Sequence, residues 1–271
     1  MSSKLFKDCF GKKEEEVEII QKLGEGSKGK VYLIKKEGKF YIRKKSICEE
    51  SKVNIKIEYE TLSLLKNIDN LPRISKYNER EGYIDFEYLP DYKCLDKVYK
   101  YLSYSDCIDI ILQVSRIIKN VHEKGIVHRD IKIENILYNF NEKKVHIIDW
   151  DCSYNNRISD NIPQYGTIIF NPPEMFEEIY VDHKKIDIWQ IGTMLYDLLS
   201  KGVIDVFEGN LKVSACRDGK LMNNIMSCNW NRKDLKYKNL EGFFDSIFKP
   251  EENRISLDEL IKYIENLKNI V

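Results

Sequence analysis

IVHRDIKIENIL, residues 126–137, decides how this chain is read. An apolar pair, Ile126 and Val127, gives way to a short stretch carrying Asp130, Lys132 and Asn135, and apolar residues resume at Ile136. The three polar side chains therefore sit on one loop between a helix and a hairpin. The hairpin reads ENILYNFNEKKVHIID (134–149), and its return brings Asp149 back toward Asn135. Carboxylates are costly to bury unless they are paired or bind a metal, which gives Asp149 a reason to end an apolar strand. A carboxylate plus an amide oxygen suits Mg²⁺, a hard cation that takes few protein ligands and completes its shell with phosphates and water. Asp130 is then placed to accept a proton from an attacking hydroxyl, and Lys132 to neutralise charge on a transferring phosphoryl group.

Working outward, residues 17–48 alternate apolar and polar positions. VEIIQKLG, KVYLIKKEGK and FYIRKKS read as strands joined by glycine-bearing turns. LGEGSKGKVYLIK (23–35) spaces Gly24, Gly26 and Gly29 as GxGxxGxV. Glycine there lets the backbone approach a polyphosphate and offer its N–H groups. A plain glycine-bearing hairpin reads equally well from this motif alone. A strand follows it rather than a helix, which argues against a dinucleotide-binding turn. Residues 52–67 predict a helix with Ile55, Tyr59, Leu62 and Leu65 on one face, and RISKYNE and YIDFEYL predict two more strands. Beyond Pro90 the pattern is mostly helical. CIDIILQVSRIIKNVHEKG stops at Gly125, a C-cap signal, and residues 183–200, 240–249 and 256–269 predict further helices.

The 271 residues fit one large domain or two lobes, with 42% hydrophobic and 32% charged residues. Lys+Arg and Asp+Glu balance at 44 each, so neither nucleic acid nor a membrane surface is expected as a partner. No apolar run predicts a transmembrane span or a leader. Seven scattered cysteines without a CxxC predict reduced thiols, a cytoplasmic or nuclear location and no zinc site.

These landmarks, in this order, resemble the catalytic domain of eukaryotic-type serine/threonine protein kinases, over residues 17 to 267. The resemblance implies an α+β, bilobal fold. A small antiparallel β-rich N-lobe with one main helix would span about 17–90, and a larger, mainly helical C-lobe about 91–267. Residues 1–16 would form an N-terminal arm. It implies ATP and Mg²⁺ as cofactors, with Mn²⁺ admissible, a protein substrate with a Ser/Thr acceptor, and a monomer. The glycine-rich stretch Leu23, Gly24, Glu25, Gly26, Ser27, Lys28, Gly29, Lys30 and Val31 would cover the nucleotide, with Ile42 over adenine. Lys44 would grip the α- and β-phosphates and pair with Glu58, which shares a helix face with Ile55 and Leu62. Lys45 points the other way on its strand, and Glu60 ranks second as the partner. Phe86 would gate a back pocket, and backbone groups of Glu87 and Leu89 would bond the adenine edge. Asp130 and Lys132 would be catalytic, and Asn135 and Asp149 would hold the metal. In YGTIIFNPPE, Thr167 would contact Asp130 and Lys132. Asp187 would tie down the catalytic loop, and Glu174 would pair with Arg254. The trio of Thr167, Glu174 and Arg254 favours a protein substrate over a small molecule, and Lys132 favours a serine or threonine acceptor.

The departures are informative. The metal-binding triplet of the family, DFG, is DWD here, Asp149–Trp150–Asp151. Trp150 exchanges one aromatic plug for another. Asp151 replaces a glycine whose freedom at positive φ would be lost. It either caps the turn or adds an oxygen ligand to the metal. The alternative function is a nucleotide-binding pseudokinase scaffold weakened by this triplet. Arg129 would usually partner a phosphorylated residue four before Thr167, but that position is Pro163. Ser159, Tyr154 and Tyr165 are the substitutes, none of them well placed, so activity that largely survives dephosphorylation is expected. Cys152 reads as a small buried filler.

Overall fold

Runs rich in β-branched and aromatic residues, separated by glycine-bearing turns, build three antiparallel strands, β1 (Val17–Glu25), β2 (Gly29–Lys36) and β3 (Lys39–Ser46). The computed structural model describes residues 17–26, 28–155, 166–177, 181–202, 206–207 and 219–268. The arm at 1–16, Ser27, Ser159, Pro163 and Tyr165 lie outside the described residues. The β2–β3 turn uses Glu37 and Gly38, both at positive φ (50° and 78°), the backbone whose twist matches a two-residue hairpin. Helix α1 (Lys52–Leu64) follows, then β4 (Ile74–Asn78) and β5 (Tyr83–Glu87). The sheet order is β1-β2-β3-β5-β4, with β3 and β5 antiparallel at its centre.

α1 is shorter than the predicted 52–67. Leu65 is its C-cap, with its N–H on Thr61 O, and a polar turn follows. Ser51 does not cap its start, because its hydroxyl accepts from Ile47 N and Cys48 N instead.

The chain forms two compact units. The first runs up to Lys66 and includes Pro72–Pro90; the second takes Asn67–Leu71 and everything from Asp91 onward. The second opens with β6 (Lys93–Cys94) and the single turn α2 (Leu95–Val98). Its spine is α3 (Tyr104–Glu123), which begins earlier than the periodicity suggests. Ser103 and Asp106 form a reciprocal capping box that adds a turn. Gly125, at φ 77°, follows the C-cap as predicted. Then come β7 (Ile126–Val127), the hairpin β8 (Ile136–Asn139) and β9 (Lys144–Ile147), and β10 (Tyr154–Asn155). β6, β8 and β9 make one small sheet, and β7 pairs with β10.

The buried α4 (His183–Ser200) packs on α3, and Trp189, Phe207, Phe244 and Phe248 stack and edge against one another nearby. α5 (Gly219–Met226), α6 (Glu241–Ile247) and α7 (Leu257–Lys268) complete the unit. α6 stops short of the predicted 249 because Lys249 precedes Pro250, and a residue before proline avoids helical backbone. Ser256 and Glu259 cap α7 reciprocally. Among the described residues no helix is long and apolar enough to cross a membrane.

Candidate active site

In the first unit, pairing decides which lysine faces which way. Directly opposed residues of antiparallel strands point to the same face. Lys44 pairs with Val31 on β2 and Ile84 on β5, and Ile42 pairs with Leu33 and Phe86. One face therefore carries Val31, Leu33, Ile42, Lys44, Ile84 and the buried Phe86. Lys44 Nζ lies 2.8 Å from Glu58, a carboxylate only 2% exposed on the inner side of α1. Lys45 is exposed on the opposite face, and Glu60 is half-buried. That face holds a pair the sequence reading missed. Arg43 donates to both oxygens of Asp85 at 2.6 and 2.8 Å and lies 3.9 Å over the Tyr83 ring.

The glycines of the β1–β2 turn divide by role. A Cβ on Gly24 or Gly26 would meet nothing within 4 Å, so open space lies over both. A Cβ on Gly29 would come within 2.9 Å of Lys45 O, so this glycine permits close packing on β3. Leu23 and Glu25 are exposed, and Glu25 pairs with Lys22 and, at 3.6 Å, with Lys30. Lys28 is half-buried just before β2. The expectation for Glu87 narrows, because its N–H donates to Arg73 O at 3.0 Å and is not available to a base. Leu89 is half-buried.

In the second unit, the loop from His128 to Asn135 is held from below by α4. Asp187, fully buried, accepts from His128 N (3.1 Å), Arg129 N (2.8 Å) and His122 Nε2 (2.7 Å). Burial pushes its carboxyl up, but the His122 hydrogen bond and the loop amides outweigh that and hold it below the usual range. His122 was not singled out from sequence. Its signal was its place at the end of α3 on the buried face. The His128 ring accepts Asp130 N on Nδ1 (3.2 Å), so its Nε2 carries the proton given to Ile148 O (3.1 Å).

Asp130 is saturated with donors. Oδ1 accepts from Thr167 N (2.8 Å) and Thr167 Oγ1 (3.0 Å), and Oδ2 accepts from Lys132 Nζ (2.7 Å) and Asn135 Nδ2 (3.0 Å). Lys132 Nζ also donates to Thr167 Oγ1 at 2.6 Å. Burial raises the Asp130 pKa, but the Lys132 ammonium and the Thr167 amide win, and the group stays ionised below its ordinary value. Gly166 makes the approach possible. A Cβ there would fall 2.5 Å from Arg129 O.

The candidate metal ligands are Asn135 and Asp149. Asn135 Nδ2 is committed to Asp130 O at 2.8 Å as well as to the carboxylate, so the amide oxygen is the atom left for a cation. Ile148 N donates to Asn135 O at 2.9 Å and sets Asp149 next to it. Two hard oxygen donors fit Mg²⁺. The positive φ of this segment falls on Asp149 (66°) and not on Asp151, so replacing glycine at 151 imposes no left-handed strain, contrary to the expectation. The turn after Trp150 is closed by Ser153, whose N–H and hydroxyl both donate to Trp150 O (3.2 and 2.7 Å). Trp150 is fully buried, packs 4.4 Å from His128, and ties its indole N–H to Ile147 O at 3.0 Å. Cys152 is buried, and its carbonyl accepts from Arg129 Nε at 2.8 Å. Arg129 also lies 5.6 Å over the ring of Tyr154.

The segment from Thr167 is pinned again at Glu174. Arg254 donates to both of its oxygens at 2.5 and 2.9 Å, and neither side chain exceeds 4% exposure.

Comparison with known proteins gives consistent matches. Residues 17–264 match the protein kinase domain family. The chain is 29% identical over 197 residues to an Aurora kinase of Saccharomyces cerevisiae, covering 69% of this chain and 53% of the relative. It is 32% identical over 192 residues to calcium-dependent protein kinase 5 of Plasmodium falciparum, covering 66% of this chain and 33% of that one. It thus spans about half, or less, of the length of these relatives. The solved structure of the Cydia pomonella granulovirus kinase PK-1 superposes with a TM-score of 0.73 at 26% identity, covering 91% of this chain and 93% of that one.

Proposed function

The chain belongs to the protein kinase family, and from that premise we propose that it transfers the γ-phosphate of ATP to serine and threonine hydroxyls of protein substrates. The observation that carries this reading is the knot of Asp130, Lys132 and Thr167, in which a buried carboxylate, an ammonium and a hydroxyl lie within 3.0 Å of one another. An incoming hydroxyl can take the place that Thr167 Oγ1 holds on Asp130, and Lys132 beside it then offsets charge on the phosphoryl group. With its pKa held low, Asp130 acts first by orienting the hydroxyl and accepts its proton as the transfer proceeds. Lys44, kept in place by Glu58, is the partner for the α- and β-phosphates. Bound Mg²⁺ or Mn²⁺, held by Asn135 and Asp149, would offset charge on the phosphate oxygens. Cytoplasmic or nuclear location and a monomeric state belong to the same proposal.

The test is phosphorylation of serine, threonine and tyrosine peptides with Mg·ATP. Serine and threonine peptides should be labelled in preference to tyrosine. Asp130→Asn should keep ATP binding and lower kcat by roughly 10²–10⁴. A variant retaining a third of wild-type turnover would remove Asp130 from this role. Nucleotide binding by the wild type without any turnover would favour the scaffold reading.

A further inference from the structure

Gln190 lies fully buried on α4, one turn beyond Asp187. A primary amide is costly at that depth unless its oxygen and its NH₂ both find partners. Here both partners are main-chain groups of the catalytic loop. Gln190 Oε1 accepts from Ile131 N at 2.9 Å, and Gln190 Nε2 donates to Arg129 O at 3.0 Å. A longer contact, 3.4 Å, reaches Asn171 Oδ1 in the segment that follows Thr167.

The two main-chain partners belong to the peptide planes on either side of Asp130. Arg129 O lies in the plane before it and Ile131 N in the plane after it. Rotation between these planes is the φ and ψ of Asp130, the angles that aim its Cα–Cβ bond. One rigid amide on a rigid helix therefore bridges both planes. The loop needs such restraint, because Arg129 sits at φ 65°, a region that non-glycine residues seldom occupy. Asp187 holds the N–H of Arg129, whereas Gln190 holds its C=O.

We propose that Gln190 is a positioning residue for phosphoryl transfer: by bridging the two peptide planes that flank Asp130, it aims the carboxylate at the acceptor hydroxyl. The proposal rests on the kinase reading above. Misplacing a reacting group by about 1 Å costs on the order of 10²-fold in rate, so the effect belongs in kcat and not in ATP affinity.

Two variants test it. Gln190→Met keeps the length and removes both bonds. Gln190→Glu keeps an acceptor for Ile131 N and offers a donor to Arg129 O only when its acid is protonated. For each, kcat and KM for ATP and a serine peptide are measured over about pH 5–8, together with amide exchange at Ile131. Gln190→Met should lower kcat by about 10–100-fold, leave KM for ATP within about twofold, and speed exchange at Ile131. Gln190→Glu should recover kcat relative to wild type as pH falls, which a merely structural role would not produce. A folded Gln190→Met protein with wild-type kcat overturns the proposal. Should that variant not fold, a Gln190→Glu profile parallel to wild type overturns it instead. If the wild type labels no peptide, the kinase reading fails by itself, and unchanged Ile131 exchange in Gln190→Met would overturn the clamp separately.

Discussion

Removing Glu174 should expose how much the second unit depends on one buried cation. A guanidinium carries five N–H donors, and Arg254 uses all of them. Nε donates to Ile247 O (3.1 Å), one terminal nitrogen to Glu174 Oε1 and Lys185 O (2.5 and 2.9 Å), and the other to Glu174 Oε2 and Lys249 O (2.9 and 2.8 Å). Its face also lies 4.9 Å over Trp189. Glu174→Ala deletes two of these bonds and the only formal counter-charge in that set, leaving an arginine of 0% side-chain exposure. Breaking a buried pair from one side costs about 3–5 kcal/mol. For a unit of this size each kcal/mol lowers Tm by about 2–4 °C, so a fall of roughly 6–20 °C is expected. The three tryptophans, Trp150, Trp189 and Trp230, all lie in the second unit, so urea unfolding followed by their fluorescence reports it selectively. The double variant Glu174→Met with Arg254→Met should cost much less than the two single changes added together, because it removes the charge along with its partner. A Glu174→Ala cost below about 1 kcal/mol, or strict additivity in the cycle, would refute this account of the pair.

Lys44→Met should abolish most phosphoryl transfer while Lys45→Met leaves it nearly intact, and a sensitive Lys45 in a peptide-kinase assay would mean that the pairing of β3 is wrong by one residue. Trp150→Phe removes the indole bond to Ile147 O and some packing against His128, so it should cost about 1–3 kcal/mol and raise hydrogen exchange in 147–153; unchanged exchange would count against the bond. Asp130 and Asp187 both have pKa values held below their unfolded values, so each binds fewer protons folded than unfolded in the acid range and contributes stability that is present above about pH 4 and lost as pH falls through the folded value. The urea midpoint should therefore drop steeply below about pH 4, and less steeply in Asp187→Asn; identical slopes would remove Asp187 from the acid transition.

Local sequence determined a good deal here. Strand-like runs joined by glycine-bearing turns over 17–46 were enough for three strands, along which successive side chains alternate in direction. The same alternation separates Lys44 from Lys45, and helical spacing turns Glu58 inward beside Ile55 and Leu62. The polar loop that brings Asp130, Lys132 and Asn135 together was legible because the three residue types fall within a few positions of one another. The short elements were not. β6, β7, β10 and α2 have only two to four residues, too few to show a period. Their pairing comes from the tertiary structure.

What tertiary structure alone decided was how each charged or amide group is satisfied. Glu174 and Arg254 could be paired from a resemblance, but not the three further carbonyls that complete the arginine. His122 and Gln190 look like ordinary polar residues on the buried faces of helices, and nothing in their neighbours along the chain names their partners. Each reaches a partner about 60 residues away, 65 for His122 to Asp187 and 59 for Gln190 to Ile131. The division also runs through the DWD triplet, where the sequence placed the strain at Asp151 and the folded backbone carries it at Asp149. The physical reason is common to all of these. Strand and helix periods follow from side-chain direction along one local backbone, whereas a buried polar group is stabilised only by whichever donors and acceptors the folded chain brings within about 3 Å.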